Sequence, residues 1–223
     1  MRAVITAGPT IEAIDPIRFI SNRSSGRQGY EIAKALRDAG FEVVLVAGPT
    51  ALKDPQGMYV CHVESARDML DAVLNAMPCE VFISVAAVCD WRPVELETQK
   101  IKVDKGAFKS LELEENPDIL QTISNLESGR PKLVIGFAAE THNVLRYAEQ
   151  KRIRKGCDWI VANDVSKAVI GTPQNEVVVI LNTHQLAWKR ASKATIAKRL
   201  VSLICMHLSE NGKDIQYTKK VKS

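Results

Sequence analysis

The sequence predicts an α/β fold with a doubly wound, mostly parallel Rossmann-like sheet, and three observations lead to it. Short β-branched runs alternate with segments of helical periodicity, as in strands joined by crossover helices. The central runs, such as residues 81–85, are almost entirely apolar, which is typical of strands buried on both faces. Aromatic residues make up only 5% of the chain, so the core must be mainly aliphatic.

Composition indicates one globular domain. The 223 residues are 46% hydrophobic and 25% charged, which suits a single domain over residues 1–210 with a polar tail at 211–223. The net charge of +4 is too balanced for general nucleic-acid binding. No apolar run reaches the roughly 18 residues of a membrane span, and the scattered cysteines are typical of reduced thiols. We therefore expect a cytoplasmic protein with no membrane or nucleic-acid partner.

Strands and helices in the first half of the chain have recognisable ends. Strands are expected at residues 3–6, 42–46, 58–62 and 81–85. Helices are expected at residues 29–39 and 66–76, because apolar residues recur there at helical spacing. Gly40 and Pro78 follow these helices as stop signals, and Gly48-Pro49 closes the second strand.

The second half of the chain interrupts this alternation of strands and helices and then resumes it. Residues 91–115 are polar and rich in Lys and Glu, which predicts an excursion from the sheet that acts as a flap, with strand-like alternation only at 111–113. Asn116-Pro117-Asp118 opens a helix with proline in its first turn. The remaining elements are strands at 133–137 and 159–162, helices at 143–154 and 193–208, and a late antiparallel pair at 177–181 and 185–188.

Loops at the carboxyl ends of the strands are the candidate site, because ligands of such sheets bind there. Residues 24–29 follow the first strand and open a helix, and their small side chains would let backbone N–H groups approach a phosphate. A helix N-cap followed by a flexible turn explains the same residues equally well. Asp90, after the fourth strand, could order a metal, bind a base or ribose, or cap a turn.

Basic residues form a second candidate feature. Lys151, Arg152, Arg154 and Lys155 lie on one predicted helix, near its carboxyl end. They could bind phosphates, or they could form a solvated face that the helix dipole favours. No Cys/His cluster has metal-ligand spacing, so metal ligands stay unassigned.

Taken together and in order, eight segments resemble the phosphopantothenate–cysteine ligase (phosphopantothenoylcysteine synthetase) family. They are ITAGPT (5–10), DPIRFISNRSSGRQG (15–29), AAVCDWRP (86–93), KIK (100–102), ENPDIL (115–120), GFAAET (136–141), QKRIRKGCD (150–158) and VANDVS (161–166). Their joint occurrence is highly specific. The resemblance implies the fold predicted above and, since members are typically dimers, a homodimer.

The resemblance also implies a ligase of coenzyme A biosynthesis. The carboxylate of 4'-phosphopantothenate would attack the α-phosphate of a nucleoside triphosphate, and the amine of cysteine would then attack the acyl-nucleotide. The implied partners are 4'-phosphopantothenate, cysteine and CTP, with Mg²⁺ on the phosphates. CTP is the nucleotide of the bacterial type and ATP that of the eukaryotic type, and QKRIRKGCD and KIK resemble the bacterial type.

Site roles follow from the matching motifs. Asn22, Lys100 and Arg18 would be catalytic. Asn22 would hold the acyl group and Arg18 the anionic substrate, while Lys100, on the flap, would stabilise charge in the transition state. Nucleotide contacts would come from Gly8, Ser24, Gly26, Gly29, Ser84, Val85, Ala86, Asp90, Lys100, Pro117, Asp118, Ile119, Leu120, Phe137, Lys151, Lys155 and Asn163.

The chain departs from the family pattern in three ways. Pro9 stands where the family often has glycine, which removes an N–H donor beside Gly8. Val103 stands where the bacterial flap commonly has lysine. In many bacteria this domain follows a flavin-dependent decarboxylase domain that these residues do not contain. We expect a stand-alone synthetase rather than an excised domain, with no flavin, and we leave open whether a separate decarboxylase associates with it.

Two alternatives stay open at the level of sequence. A regulatory relative would keep the nucleotide-binding fold without catalysis, although the presence of Asn22 and Lys100 argues against it. A dinucleotide-dependent oxidoreductase would use the same architecture. The first turn, however, lacks GxGxxG, and Ala47-Gly48-Pro49 supplies no acidic residue at the end of the second strand.

Overall fold

A computed structural model describes residues 1–101, 110–164 and 174–209. Its strands are β1 (Arg2–Ala7), β2 (Ile11–Ala13), β3 (Phe19–Ser21), β4 (Glu42–Ala47), β5 (Tyr59–His62), β6 (Val81–Ser84), β7 (Trp91–Pro93), β8 (Leu113–Glu115), β9 (Leu133–Glu140), β10 (Trp159–Asp164), β11 (Gln174–Ile180) and β12 (Gln185–Ser192). Its helices are α1 (Arg27–Asp38), α2 (Ala66–Asn75), α3 (Ile119–Ser124), α4 (Val144–Lys155) and α5 (Lys193–Ser209).

Eight of these strands form the central sheet, in the order β12-β11-β10-β9-β6-β1-β4-β5. The six strands from β10 to β5 are parallel, and β11 and β12 are antiparallel to their neighbours. The chain runs outward from β1 to β4 and β5, then returns to the other side of β1 at β6. The predicted doubly wound sheet and its late antiparallel pair are confirmed, and the order reverses between β1 and β6, where such sheets bind ligands.

Alternating side chains of β1 divide the core into two layers. Ala3 and Ile5 pack with α1 and α5 on one face, where Leu36 and Leu200 are fully buried. Val4 points to the opposite face and packs with α2 and α3. Helix α4 covers the same sheet further along, over β9 and β10. Both faces of the inner parallel strands are therefore largely buried, which explains why their sequences are mostly apolar.

Two short hairpins were not predicted, and several predicted boundaries move. Strands β2 and β3 pair with each other, as do β7 and β8 within the segment expected to be a flap. The second strand of that pair lies at Leu113–Glu115 rather than 111–113, and α1 begins at Arg27 rather than Gly29. Three-residue strands are too short to give a periodic signal in the sequence, which is why these pairs were not predicted. Lys102, Val103 and the tail at 211–223 lie outside the described residues.

Gly29 has a structural reason to be glycine. It lies in the first turn of α1, directly against β1, and is buried. A Cβ atom at this position would lie 2.5 Å from the Cβ of Ala7 and 3.2 Å from its Cα. Gly136, on β9, is crowded in a different way, since a Cβ there would lie 2.6 Å from Cδ2 of Leu120, the movable end of a side chain.

We predict that Gly29→Ala lowers the free energy of unfolding by about 1–3 kcal/mol, as overpacking usually does. The clash involves the backbone of β1, which cannot move without disturbing the sheet. Gly136→Ala is the matched control and should cost less, because Leu120 can change its rotamer. Urea unfolding of both variants measures the difference, and a Gly29→Ala protein as stable as the parent would contradict the packing argument.

Candidate functional site

The loops that follow β1 and β6 run side by side at the point where the strand order reverses. The N–H of Ala87 donates to the carbonyl of Gly8 at 2.9 Å, and the N–H of Thr10 donates to the carbonyl of Ala87 at 3.3 Å. The buried Thr6 hydroxyl accepts from the N–H groups of Val85 and Ala86, each at 3.2 Å. These bonds fix the backbone of the β6 loop in the predicted binding region.

A polar cavity of about 680 Å³ opens beyond the carboxyl ends of β6 and β9. The β6 loop, the N-terminal end of α3 and one side of α4 form its walls. Its lining residues are Ser84, Ala86, Val88, Cys89, Asp90, Trp91, Glu115, Asn116, Pro117, Asp118, Ile119, Leu120, Gln121, Phe137, Glu140, Lys151, Arg154 and Lys155. The size and polar lining suit a nucleotide-sized ligand.

Three cations from α4 line this cavity. The ammonium group of Lys151 donates to the carbonyl of Phe137 at 2.9 Å, and burial lowers the pKa of Lys151. Lys155 forms an ion pair with Asp118, and Arg154 lies on the same wall. An anionic ligand would offset the cost of burying the charge of Lys151.

The fourth cation of the predicted basic cluster is used differently. Arg152 forms an ion pair with Glu149 at 2.8 Å and donates to the side-chain carbonyl of Asn182 at 2.7 Å. It therefore braces α4 against the β11–β12 turn instead of lining the cavity. The structure thus assigns three of the four clustered basic residues to the cavity wall and one to support of the fold.

Asn116 holds the rim of the cavity together. Its backbone N–H donates to the carbonyl of Asp90 at 2.8 Å, and its side-chain amide donates to the carbonyl of Cys89 at 3.0 Å. The guanidinium group of Arg92 donates to the side-chain oxygen of Asn116 at 3.2 Å. This residue joins the β6 loop to the segment that leads into α3, so both sides of the rim are fixed by hydrogen bonds.

The glycine-rich loop lies next to this cavity without lining it. Gly8 and Gly26 have φ values of +80° and +70°, and a Cβ at Gly26 would lie 3.4 Å from Cα of Gly8. The Ser24 hydroxyl accepts from the N–H of Gly26 at 3.3 Å. Asn22 connects this loop to the cavity, because its amide donates to the carbonyl of Val88 at 2.9 Å.

The other predicted catalytic residues, Arg18 and Lys100, do not line the cavity. Arg18 forms an ion pair with the buried carboxylate of Asp15 in the β2–β3 connection. Lys100 is exposed and is not among the cavity-lining residues. Asn163 occupies the carboxyl end of β10, one strand beyond β9. The structure therefore places about half of the predicted residues in the lining of a nucleotide-sized cavity and the others outside that lining.

The two groups divide the predicted residues as follows. The cavity is lined by Ser84, Ala86, Asp90, Pro117, Asp118, Ile119, Leu120, Phe137, Lys151 and Lys155. It is not lined by Arg18, Asn22, Lys100, Gly8, Ser24, Gly26, Gly29, Val85 and Asn163. Sequence reasoning assigned no role to several lining residues, namely Val88, Cys89, Trp91, Glu115, Asn116, Gln121 and Glu140, and it named Arg154 only as a member of the basic cluster. All but Gln121 fall within the segments that resemble the family. Their position beside the predicted contacts was therefore the signal that could have identified them.

Two negative observations apply to the parts of the chain that the structure describes. No group of three or more His, Cys, Asp or Glu side chains there is arranged to hold a metal ion. Within the same residues, every helix is too short or too polar to span a bilayer.

The model of the family described as DNA/pantothenate metabolism flavoprotein C-terminal domain matches residues 1–208. The chain belongs to this family. Membership confirms the family resemblance that the eight sequence segments indicated. It also agrees with the fold, because the match includes all strands of the central sheet and nearly all of α5.

Relatives of this flavoprotein C-terminal domain are similar over most of the chain. The Coenzyme A biosynthesis bifunctional protein CoaBC of Vibrio cholerae is 41% identical over 211 residues, which cover 93% of this chain and 51% of that protein. The protein of the same name from Haemophilus influenzae is 44% identical over 200 residues, which cover 89% of this chain and 48% of that protein. The chain thus spans about half the length of the curated relatives that it matches.

A solved structure resembles the whole domain. The crystal structure of the C-terminal domain of Coenzyme A biosynthesis bifunctional protein CoaBC aligns with a TM-score of 0.80 and 39% sequence identity. The alignment covers 94% of this chain and 96% of that one. The architecture described above is therefore that of the family.

We predict that two substitutions of Asp118 separate its two roles at the cavity wall. Its carboxylate caps α3 by accepting from the N–H of Gln121 at 3.0 Å, and it also pairs with Lys155. Asp118→Asn keeps a capping oxygen and should lose only the ion pair, at about 0–1 kcal/mol. Asp118→Ala should lose the cap as well, at about 1 kcal/mol more. Urea unfolding measures both, and equal losses would contradict the capping role.

Proposed function

We propose that this chain is a phosphopantothenate–cysteine ligase of coenzyme A biosynthesis that binds CTP in the cavity beside β6 and β9. The observation that carries the proposal is that this cavity has three cations on one wall, at the reversal point of a doubly wound sheet. Relatives named for coenzyme A biosynthesis support the substrate class. No observation on the described residues favours a second function over this one.

The reaction has two half-steps. A carboxylate oxygen of 4'-phosphopantothenate attacks the α-phosphorus of CTP, forming a P–O bond while the bond to the β-phosphate oxygen breaks and pyrophosphate leaves. The cysteine amine then attacks the acyl carbon, forming the amide and releasing CMP and a proton. A carboxylate alone is a poor acylating agent, and the mixed anhydride provides the missing leaving group. The protein has mainly to hold the reactants together and to balance the phosphate charge.

Lys151, Arg154 and Lys155 are the proposed phosphate-binding cations. All three lie on α4 and line the cavity. Lys151 is held in place by its bond to the carbonyl of Phe137, so its ammonium group is positioned before the nucleotide binds. A positioned charge of this kind stabilises a developing negative charge without paying for reorganisation during the reaction.

Asn22 is proposed to hold the acyl group of the substrate that is activated. It reaches the β6 loop through its bond to the carbonyl of Val88, so it lies between the glycine loop and the cavity. Arg18 is proposed to bind the anionic substrate, and Lys100 to stabilise the charge of the transition state. With these roles, the carboxylate of 4'-phosphopantothenate would lie near Asn22 and the nucleotide would lie near α4.

Mg²⁺ is proposed to arrive with CTP as part of the substrate. Asp90 and Glu140 supply carboxylates at the cavity wall, and the described residues form no cluster of three or more acidic, His or Cys ligands. That donor set fits an ion held mainly by phosphates and water, with one or two protein carboxylates. The ion would neutralise phosphate charge.

Three further assignments belong to this proposal. CTP is proposed over ATP because the segments QKRIRKGCD and KIK resemble the bacterial type. A homodimer is proposed because family members are typically dimers. Association with a separate decarboxylase belongs to the proposal, and no flavin is assigned to this domain.

The proposal predicts that pyrophosphate release requires 4'-phosphopantothenate and is faster with CTP than with ATP. The protein is mixed with 4'-phosphopantothenate, Mg²⁺ and one nucleotide, with and without cysteine, and pyrophosphate is measured. CMP should appear in full only when cysteine is added, because cysteine completes the second half-step. A faster reaction with ATP would overturn the nucleotide assignment, and binding of CTP without pyrophosphate release would favour a regulatory relative.

A second prediction concerns the proton on Lys151. Burial lowers its pKa in the free protein, and bound phosphates should raise that pKa again because they stabilise the ammonium form. CTP binding at a pH between the pKa of Lys151 in the free protein and its pKa in the complex should therefore take up a proton. Calorimetry in buffers of different ionisation enthalpy measures this uptake.

Lys151→Met removes the titrating group and should abolish the uptake while weakening CTP binding. Lys132→Met is the matched control, because Lys132 is exposed and lies outside the cavity lining. Uptake that persists unchanged in Lys151→Met would assign the proton to another group and contradict the role of Lys151.

A further inference from the structure

The connection between β2 and β3 contains a buried carboxylate whose hydrogen bonds reach a distant part of the chain. Asp15 is only 2% exposed. Its Oδ1 accepts from the N–H groups of Ile17 and Arg18 at 2.9 and 2.8 Å. Its Oδ2 accepts from Nε of Arg18 at 2.9 Å and from the N–H of Ile101 at 3.2 Å. The last bond joins residues that are 86 positions apart in the chain.

Asp15 and Arg18 together hold both polar groups of one peptide segment. Asp15 accepts from the N–H of Ile101, while the guanidinium group of Arg18 donates to the carbonyl of Ile101 at 3.4 Å. A second link lies four residues earlier, where the N–H of Glu97 donates to the carbonyl of Ile14 at 3.1 Å. The β2–β3 connection therefore fixes the backbone on both sides of Lys100.

Stability alone is a weak reason for this arrangement. Burying a carboxylate costs free energy that its ion pair often only balances. The hydrogen bonds to Arg18 hold the pKa of Asp15 well below its usual range, so the carboxylate stays charged near neutral pH. A charged acceptor makes stronger and more directional bonds than a neutral one, which suits a group that must hold a backbone in one place.

We propose that Asp15 is a positioning residue, which holds the backbone at Ile101 and thereby sets the location of Lys100 relative to Asn22. The inference rests on the proposed function, in which Lys100 acts on the transition state. Asp15 touches no substrate. It acts through the peptide next to Lys100 and through Arg18, so the ion pair and residues 97–101 form one unit.

The test begins with Asp15→Asn, which keeps the size of the side chain but replaces one acceptor oxygen by a donor. That amide group would face the donors of Arg18 and Ile101. We expect kcat for pyrophosphate release to fall by about 10- to 100-fold, the usual effect of a small displacement of a catalytic group. The KM for CTP should stay within about twofold, because Asp15 lies outside the cavity lining. Asp38→Asn, which disturbs only an exposed pair with Arg37, is the matched control and should leave both constants unchanged.

A second readout follows the position of Lys100 without turnover. The rate at which an amine-reactive ester acylates Lys100 is measured by mass spectrometry, with exposed Lys132 as an internal reference. In Asp15→Asn the rate should change at Lys100 and stay constant at Lys132. An unchanged rate at Lys100, or an unchanged kcat, in a folded Asp15→Asn protein would overturn the proposal.

A second pair of variants applies if Asp15→Asn does not fold. Ile101→Pro deletes the N–H that donates to Asp15 and leaves the carboxylate in place, while Ile101→Ala keeps that N–H and removes most of the side chain. The proposal expects loss of kcat in the proline variant only, and equal losses in both would overturn it.

The proposed function and the positioning role of Asp15 can be contradicted separately. Lys100→Gln with the kcat of the parent protein would remove Lys100 from the proposed mechanism, and with it the positioning role of Asp15. Impaired Lys100→Gln combined with an unaffected Asp15→Asn would overturn the positioning role and leave the proposed function intact.

Discussion

The parallel pairing of β1 with β6 continues beyond the ends of both strands, and the site depends on this continuation. The bond from Ala87 N–H to the carbonyl of Gly8 and the two bonds accepted by Thr6 keep the following loops in register. Without them, the two loops would leave the sheet independently, as loops beyond strand ends commonly do. Because they stay together, Asn22 can reach the carbonyl of Val88, and the glycine loop comes to lie beside the cavity.

Charge in the cavity is arranged by secondary structure rather than by a single motif. Helix α4 contributes the cations, β9 supplies the carbonyl that accepts from Lys151, and the N-cap of α3 supplies the carboxylate that pairs with Lys155. Lys151 and Lys155 therefore have partners before any ligand binds. An arriving polyphosphate would replace or share these partners in a site that is already shaped, which limits the reorganisation that binding requires.

The β2–β3 hairpin and its contact with Ile101 could not be predicted from the sequence. Residues 15–29 were recognised as one motif, yet nothing in their pattern indicated a hairpin or a bond from Asp15 to Ile101. Strands of three residues carry no periodic signal, and a contact across 86 positions is created by the fold. Similarly, Lys151, Arg152, Arg154 and Lys155 appeared as one basic cluster, but helix geometry directs Arg152 towards Glu149 and Asn182.

The sequence by itself determined the fold class, the parallel core strands and the set of loops in which the site would lie. These properties follow from local patterns, namely apolar runs, helical periodicity and the rule that such sheets bind ligands at the carboxyl ends of their strands. Only the tertiary structure decided which of those loops form one cavity and which lie beside it. That division depends on the strand order, on the close packing of Gly29 against Ala7 and on the hydrogen bonds of Thr6, Asp15 and Asn116. Each of these contacts joins residues far apart in the chain, so no local pattern could specify them.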